Sequence, residues 1–157
     1  MSCTQPSTNG WQVSTALTPY EALREFHQTY GLVVREPGNP IDFSLENDDV
    51  NDEALFNLRA SLNEEEWAEL QEAWPGDDLV AYVDAVCDLV YVAVGSLVSF
   101  GVDFDRCFAE VHRSNMSKLD ENGQPIIRED GKILKGSNYT PPDLASIIYG
   151  RSVSEIS

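Results

Sequence analysis

LVAYVDAVCDLVYVAVGSLVSF, residues 79–100, decides the architecture. Apolar side chains occupy nearly every position around a helical wheel. The β-branched content would suit a strand, but the length rules one out. The stretch therefore reads as a helix at the centre of a bundle or in a subunit interface, capped by Asp77 and ended by Gly101. Asp84 and Asp88 interrupt it, set among Val80, Tyr82, Val83, Val86, Leu89, Val90 and Val92. At i,i+4 they share a helix face. Burying an ionised carboxylate without a partner costs several kcal/mol, and Arg59 is the only basic residue between Arg35 and Arg106. A bound metal is the economical compensation; an interface salt bridge to a C-terminal Arg or Lys is the alternative.

Upstream, Leu55, Leu58, Leu62, Trp67 and Leu70 keep helical spacing from about Asp52, and Trp74-Pro75-Gly76 stops the pattern. Further back, Thr18-Pro19-Tyr20-Glu21 starts a helix with Thr at N-cap, Pro at the first helical position and Glu closing a capping box. That helix runs to about Tyr30, with Gly31 ending it. Residues 32–50, with Pro37, Gly38, Pro40 and the acidic run LENDDV, read as a loop. Downstream, Asp103 or Asp105 caps a fourth helix through FDRCFAEVHRSNMSKL. Ile126-Ile127 and Ile133-Leu134 flank an Asp130-Gly131 turn, the pattern of a small β-hairpin. A short last helix is expected from Asp143 to Tyr149. The expectation is one all-α domain over 1–157, a four- to five-helix bundle. It comprises an irregular arm at 1–17, a helical core at 18–118, and a hairpin with a short helix at 119–157.

Charge is divided unevenly along the chain. The formal net charge is −17, all of it carried by residues 1–105, because residues 106–157 hold as many bases as acids. Such a surface repels phosphate backbones, which argues against nucleic-acid binding. The N-terminus has neither a basic start nor an apolar core, and no apolar run is read as spanning a bilayer, so neither signal peptide nor membrane partner is expected. Cys3, Cys87 and Cys107 show no metal spacing and read as reduced thiols of a cytoplasmic protein.

The chemistry concentrates in two places. Glu65, Glu66, Glu69 and Glu72 fall within two helical turns, and Leu62, Trp67 and Leu70 leave little room for a wholly solvated face. Packed beside Asp84 and Asp88 they would form an acidic pocket, whose mutual repulsion a hard divalent cation relieves. The second place is Asn115 and Lys118, at i,i+3, whose amide and ammonium suit phosphate oxygens. Lys132 and Lys135 add positive charge nearby. His27 and His112 read as ordinary core or surface histidines.

The pattern Arg59-x-x-Leu62-x-x-Glu65-Glu66-x-x-Glu69-Leu70, then Asp84-Ala-Val-Cys-Asp88-Leu-Val-Tyr91, resembles the all-α nucleoside triphosphate pyrophosphohydrolases of the MazG and HisE type. The run HRSNMSKLDENGQPIIREDGKILKGSNYTPPDL is similar to the phage and bacterial branch. The resemblance covers about residues 55–145. It implies hydrolysis of a (d)NTP to the monophosphate and pyrophosphate with Mg²⁺ or Mn²⁺, in a homodimer or homotetramer. Some phage enzymes of this branch hydrolyse dGTP and GTP, so guanine nucleotides are the expected substrates, in the host cytoplasm if the gene is a phage's. Carried over residue by residue, Glu66, Glu69 and Asp88 are metal ligands, with Asp84 the fourth. Glu65 is a further ligand or the base that orients water, and Glu65 and Glu66 are the catalytic pair. Asn115, Lys118, Lys135 and Tyr139 contact phosphates or sugar. The family's second motif is ExxD, and here Ala85 or Ala81 stands where its glutamate belongs.

Two other readings compete. A non-catalytic acidic protein that mimics nucleic acid would use the net charge alone. A degenerate member would bind nucleotide without hydrolysing it, for want of that glutamate.

Overall fold

In the computed structural model, residues 17–42, 50–74 and 76–150 are described. They form helices α1 (Pro19–Tyr30), α2 (Val50–Ala73), α3 (Leu79–Phe100), α4 (Phe104–Met116) and α5 (Leu144–Tyr149). The chain is all-α, as the apolar stretch at 79–100 implies. Most of the expected arm, most of the acidic run LENDDV, and Cys3 and Pro75 lie outside the described residues.

Helix ends follow local chemistry. Thr18 and Glu21 form the expected capping box, and Gly31 closes α1 in the left-handed conformation at φ 67°. At α3, Asp78 rather than Asp77 is the cap, its carboxylate accepting from the Val80 and Ala81 amides. Asp103 caps α4, and Asp143 caps α5. Gly101 ends α3 at φ 73°, where a Cβ would lie 2.7 Å from the Asn39 carbonyl oxygen. That contact lets residues 35–41 lie against the end of α3, with Arg35 N–H to Val98 O at 3.2 Å and Ile41 N–H to Phe100 O at 2.9 Å.

α2 and α3 form an antiparallel hairpin. Its register is marked by stacked Phe56 and Phe100 rings at 6.2 Å near one end and by Trp74 and Tyr82 at 5.5 Å near the other. α1 lies across the C-terminal half of α3. Tyr20 and Leu23 pack with Val94 and Val98, joined by Val34 and Phe104, to form the hydrophobic core. His27 is buried in the same place, its Nδ1 3.0 Å from the Val33 carbonyl, so it is a core histidine.

Three expectations are corrected. By length and composition α3 is long and apolar enough to cross a membrane, although no run was read so from the sequence; its C-terminal half is buried beneath α1 and α2. Its N-terminal half is open, with Leu79 72% and Val80 78% exposed and Val83 and Val90 about half exposed (49% each). Second, the hairpin does not form strands. One antiparallel bridge joins Ile127 and Ile133 around a turn at Gly131. Residues 121–133 are all exposed, so the ribbon has no layer beneath its isoleucines, and a lone two-stranded ribbon is marginal. Third, α4 ends at Met116, with Ser117 as its cap. Lys118 therefore sits beyond the helix and is not on a helical face shared with Asn115.

Candidate functional site

Glu65, Glu66 and Glu69 come from the middle of α2, and Asp84 and Asp88 from the open half of α3. The antiparallel register brings Glu66 opposite Asp88. Glu66 is half-buried between the helices, and its carboxyl is pushed above the ordinary glutamate range. Partial burial is the largest cause, followed by the charges of Glu69, Asp88 and Glu65. Like charges thus meet here across a helix–helix seam, the condition that makes a bound cation favourable.

Asp84 is not among the groups acting on Glu66. Asp84 and Asp88 are both exposed in the protomer, so the desolvation cost inferred for them from the sequence does not arise there. Of their apolar neighbours on α3, Val80, Val83 and Val90 are exposed, whereas Tyr82, Val86, Leu89 and Val92 are partly buried. Ala85 is buried, whereas Ala81 is exposed. Among the described residues, no three His, Cys, Asp or Glu side chains converge closely enough to hold a metal ion. The donor chemistry, all hard carboxylate oxygens, suits Mg²⁺ or Mn²⁺.

The cationic residues gather at the end of α4. Gly136 N–H bonds Lys118 O at 3.0 Å and the Asn138 amide bonds Asp120 O at 3.0 Å, so the 119–136 excursion returns to its starting point. Lys135 Nζ lies 4.2 Å from the Tyr139 ring centroid, within cation–π range. The Tyr139 phenol is held below its ordinary value by the neighbouring Ser114 hydroxyl, then by Lys135 and the charge of Lys118. Ser114 is 3% exposed and its hydroxyl donates to Thr140 O at 2.9 Å. It was missed in the sequence reading, where an uncharged serine matches no motif. Asn115 is exposed and reaches this group through its carbonyl, which accepts from Lys118 N–H at 3.2 Å. Beside it, Arg113 pairs with Glu110, and with the Asp143 amide holds the Glu110 carboxyl down to about 2.

Among the described residues, no ion pair joins the acidic group to the cationic one. Every charge acting on Glu66 is negative. Ion pairs among the described residues join Arg24 to Glu36, Arg35 to Asp52, Arg113 to Glu110 and Arg128 to Asp130, none of which bridges the two groups. A cavity of about 520 Å³ lined by Trp67, Leu70, Gln71, Trp74 and Tyr82 lies on the other flank of α2; Trp67 and Glu69 are about 200° apart around that helix.

Residues 23–115 match the family model for phosphoribosyl-ATP pyrophosphohydrolase. The chain belongs to that family, within the all-α MazG/HisE-like superfamily of nucleotide pyrophosphohydrolases. The match spans α2, α3 and their carboxylates. The chain is also similar to an uncharacterized protein of Acanthamoeba polyphaga mimivirus, 30% identical over 122 residues, which is 78% of this chain and 44% of that protein. This chain thus spans less than half the length of that curated relative.

Proposed function

We propose that this protein is a metal-dependent nucleoside triphosphate pyrophosphohydrolase that converts a (d)NTP and water to the monophosphate and pyrophosphate. The observation that carries the reading is the meeting of Glu66 on α2 with Asp88 on α3, in a seam where partial burial, then the charges of Glu69, Asp88 and Glu65, push the Glu66 carboxyl up. Glu66, Glu69 and Asp88 would hold Mg²⁺ or Mn²⁺, with Asp84 completing the set as its side chain turns inward. The cation, when bound, supplies charge neutralisation for the triphosphate and acidifies a water ligand. Glu65 is the free carboxylate best placed beside these ligands to take a proton from the attacking water. Lys118 and Lys135 bind phosphate oxygens, with Tyr139 and Asn115 directed to phosphate or sugar.

The separation of acidic and cationic groups supports a homo-oligomer, dimer or tetramer, in which one copy's α4 end faces another's α2/α3 seam. The open apolar half of α3, Leu79 to Val90, is the surface such an assembly would cover. Guanine nucleotides are proposed as substrates on the phage-branch resemblance alone, and the cytoplasm, a host's if the gene is viral, as the compartment.

The test is a panel of ribo- and deoxynucleoside triphosphates with Mg²⁺ or Mn²⁺, with monophosphate and pyrophosphate quantified. Turnover of dGTP or GTP ahead of the others supports the whole reading, and turnover of another base corrects the specificity. Binding without turnover favours a degenerate nucleotide-binding member, the reading to which buried Ala85 in place of the family glutamate lends weight. Neither binding nor turnover leaves the acidic mimic.

A further inference from the structure

Between the carboxylates and the core, the α2/α3 interface holds a closed polar node. Arg59 is 8% exposed and Ser96 7%. Arg59 Nε donates to Ser96 Oγ at 3.1 Å, and its Nη2 to the Val92 carbonyl at 2.6 Å. The Asn63 amide donates to the same Ser96 Oγ at 2.9 Å and to the Arg59 carbonyl at 2.7 Å. Ser96 Oγ in turn donates to Val92 O at 3.0 Å. The serine hydroxyl therefore uses both acceptor positions and its proton. Both of its donors come from α2.

The node lies one turn from the acids on both helices. Asn63 precedes Glu66 by three residues and Val92 follows Asp88 by four. Because α2 and α3 are antiparallel, both steps run toward the same end of the hairpin. With a rise of about 1.5 Å per residue, Glu66 stands about 4.5 Å along α2 from Asn63 and Asp88 about 6 Å along α3 from Val92, with Ser96 one further turn away. Apolar contacts elsewhere in the hairpin tolerate axial sliding, since side chains interdigitate in more than one register. A hydroxyl with every valence directed does not.

We propose that Ser96 and Asn63, with Arg59, are positioning residues: they lock α2 against α3 axially and so set the distance between the Glu66 and Asp88 carboxylates. The consequence for cation binding rests on the metal reading above; the lock itself does not. Ser96→Ala removes the shared acceptor with almost no change of volume, and Ser96→Thr keeps the hydroxyl.

The lock is read without metal by pulsed electron spin resonance between nitroxides at Glu72→Cys and Ala81→Cys, in a Cys3→Ser, Cys87→Ser background. Ser96→Ala should shift or broaden the inter-label distance, and Ser96→Thr should restore the parent distribution. An unchanged distribution in Ser96→Ala overturns the proposal. If that variant fails to fold, Asn63→Leu, which removes only one donor to Ser96, is judged by the same distance. Mn²⁺ titration of the unlabelled chains then gives the consequence, a dissociation constant weakened roughly tenfold in Ser96→Ala and recovered in Ser96→Thr. A parent chain that binds no Mn²⁺ would sink the metal reading and leave the distance measurement to decide the lock.

Discussion

Glu66 on α2 and Asp88 on α3 face each other across an antiparallel seam, where partial burial, then the charges of Glu69, Asp88 and Glu65, push the Glu66 carboxyl up. The Glu66 carboxyl is raised in the native chain relative to the unfolded one. As pH rises from below the usual carboxylate range, the unfolded state loses its proton first, so this group's contribution to stability falls. Asp88→Asn removes one of the repelling charges. Without metal, the variant should melt no lower than the parent near pH 7, and the Glu66 carboxyl should titrate closer to its ordinary value by NMR. With excess Mn²⁺, the parent should gain melting temperature by mass action and Asp88→Asn should gain little. Equal Mn²⁺ shifts in both chains would remove Asp88 from the ligand set.

Gly95 is a glycine inside α3 whose missing side chain is structurally required. A Cβ there would lie 2.8 Å from Arg59 Nη2, 3.0 Å from His27 Nε2 and 3.3 Å from Leu23 Cδ1. Helix propensity alone favours Gly95→Ala by about 1 kcal/mol. Overpacking a close-fitted site costs about 1–3 kcal/mol, and here it also displaces the Arg59 bond to Val92 O. Gly95→Ala is therefore expected to lower urea-unfolding stability, and a rise would show that the Arg59 and His27 side chains give way freely.

Local signals made most of the backbone legible. Thr18-Pro19 with Glu21, and the glycines at 31 and 101, mark helix ends through chemistry contained in a few residues. Adjacent equivalents are harder, and Asp78 displaced Asp77 as cap because backbone direction decides which carboxylate reaches the free amides. The hairpin failed for a tertiary reason: the Asp-Gly turn formed, but strands need a supporting layer that alternation cannot report. At the candidate site, spacing put Glu65, Glu66 and Glu69 on one helix and Asp84 and Asp88 on its neighbour, while the burial inferred for Asp84 and Asp88 came from composition and missed that the N-terminal half of α3 is open. Ser96, Asn63 and Ser114 carry no charge and match no motif; only three-dimensional hydrogen bonding distinguishes them.

His27 gives the core a pH dependence. The Val33 carbonyl can only accept, so in the neutral ring Nδ1 carries the proton and Nε2 does not. Burial, then the Arg59 charge, holds the imidazole below its ordinary value of 6.5, against the bond to Val33. Above that value the ring is neutral in both states and stability is unaffected. Below it the unfolded chain takes up a proton that the native chain resists, so stability falls by up to about 1.4 kcal/mol per pH unit from this group. Urea midpoints should drop between pH 7 and 5 in the parent. In His27→Asn, whose amide can still donate to Val33 O, the slope over that window should shrink, and an equal slope would assign it to other groups.

The open half of α3 tests the assembly directly. Val80 and Val83 are exposed in the protomer on the stripe that, further along, α1 covers at Val94 and Val98. A carboxylate placed there meets water in a monomer and an apolar partner in an oligomer. Val83→Glu should therefore leave helix content and the monomer's urea stability nearly unchanged, since exposed substitutions act within about 0.5 kcal/mol. It should nonetheless reduce the mass measured by sedimentation to that of one chain. Because the cationic cluster at Lys118 and Lys135 is proposed to act on another copy's carboxylates, the same variant should lose nucleotide turnover in proportion to dissociation. Turnover retained by a monomeric Val83→Glu would place the complete site within one protomer.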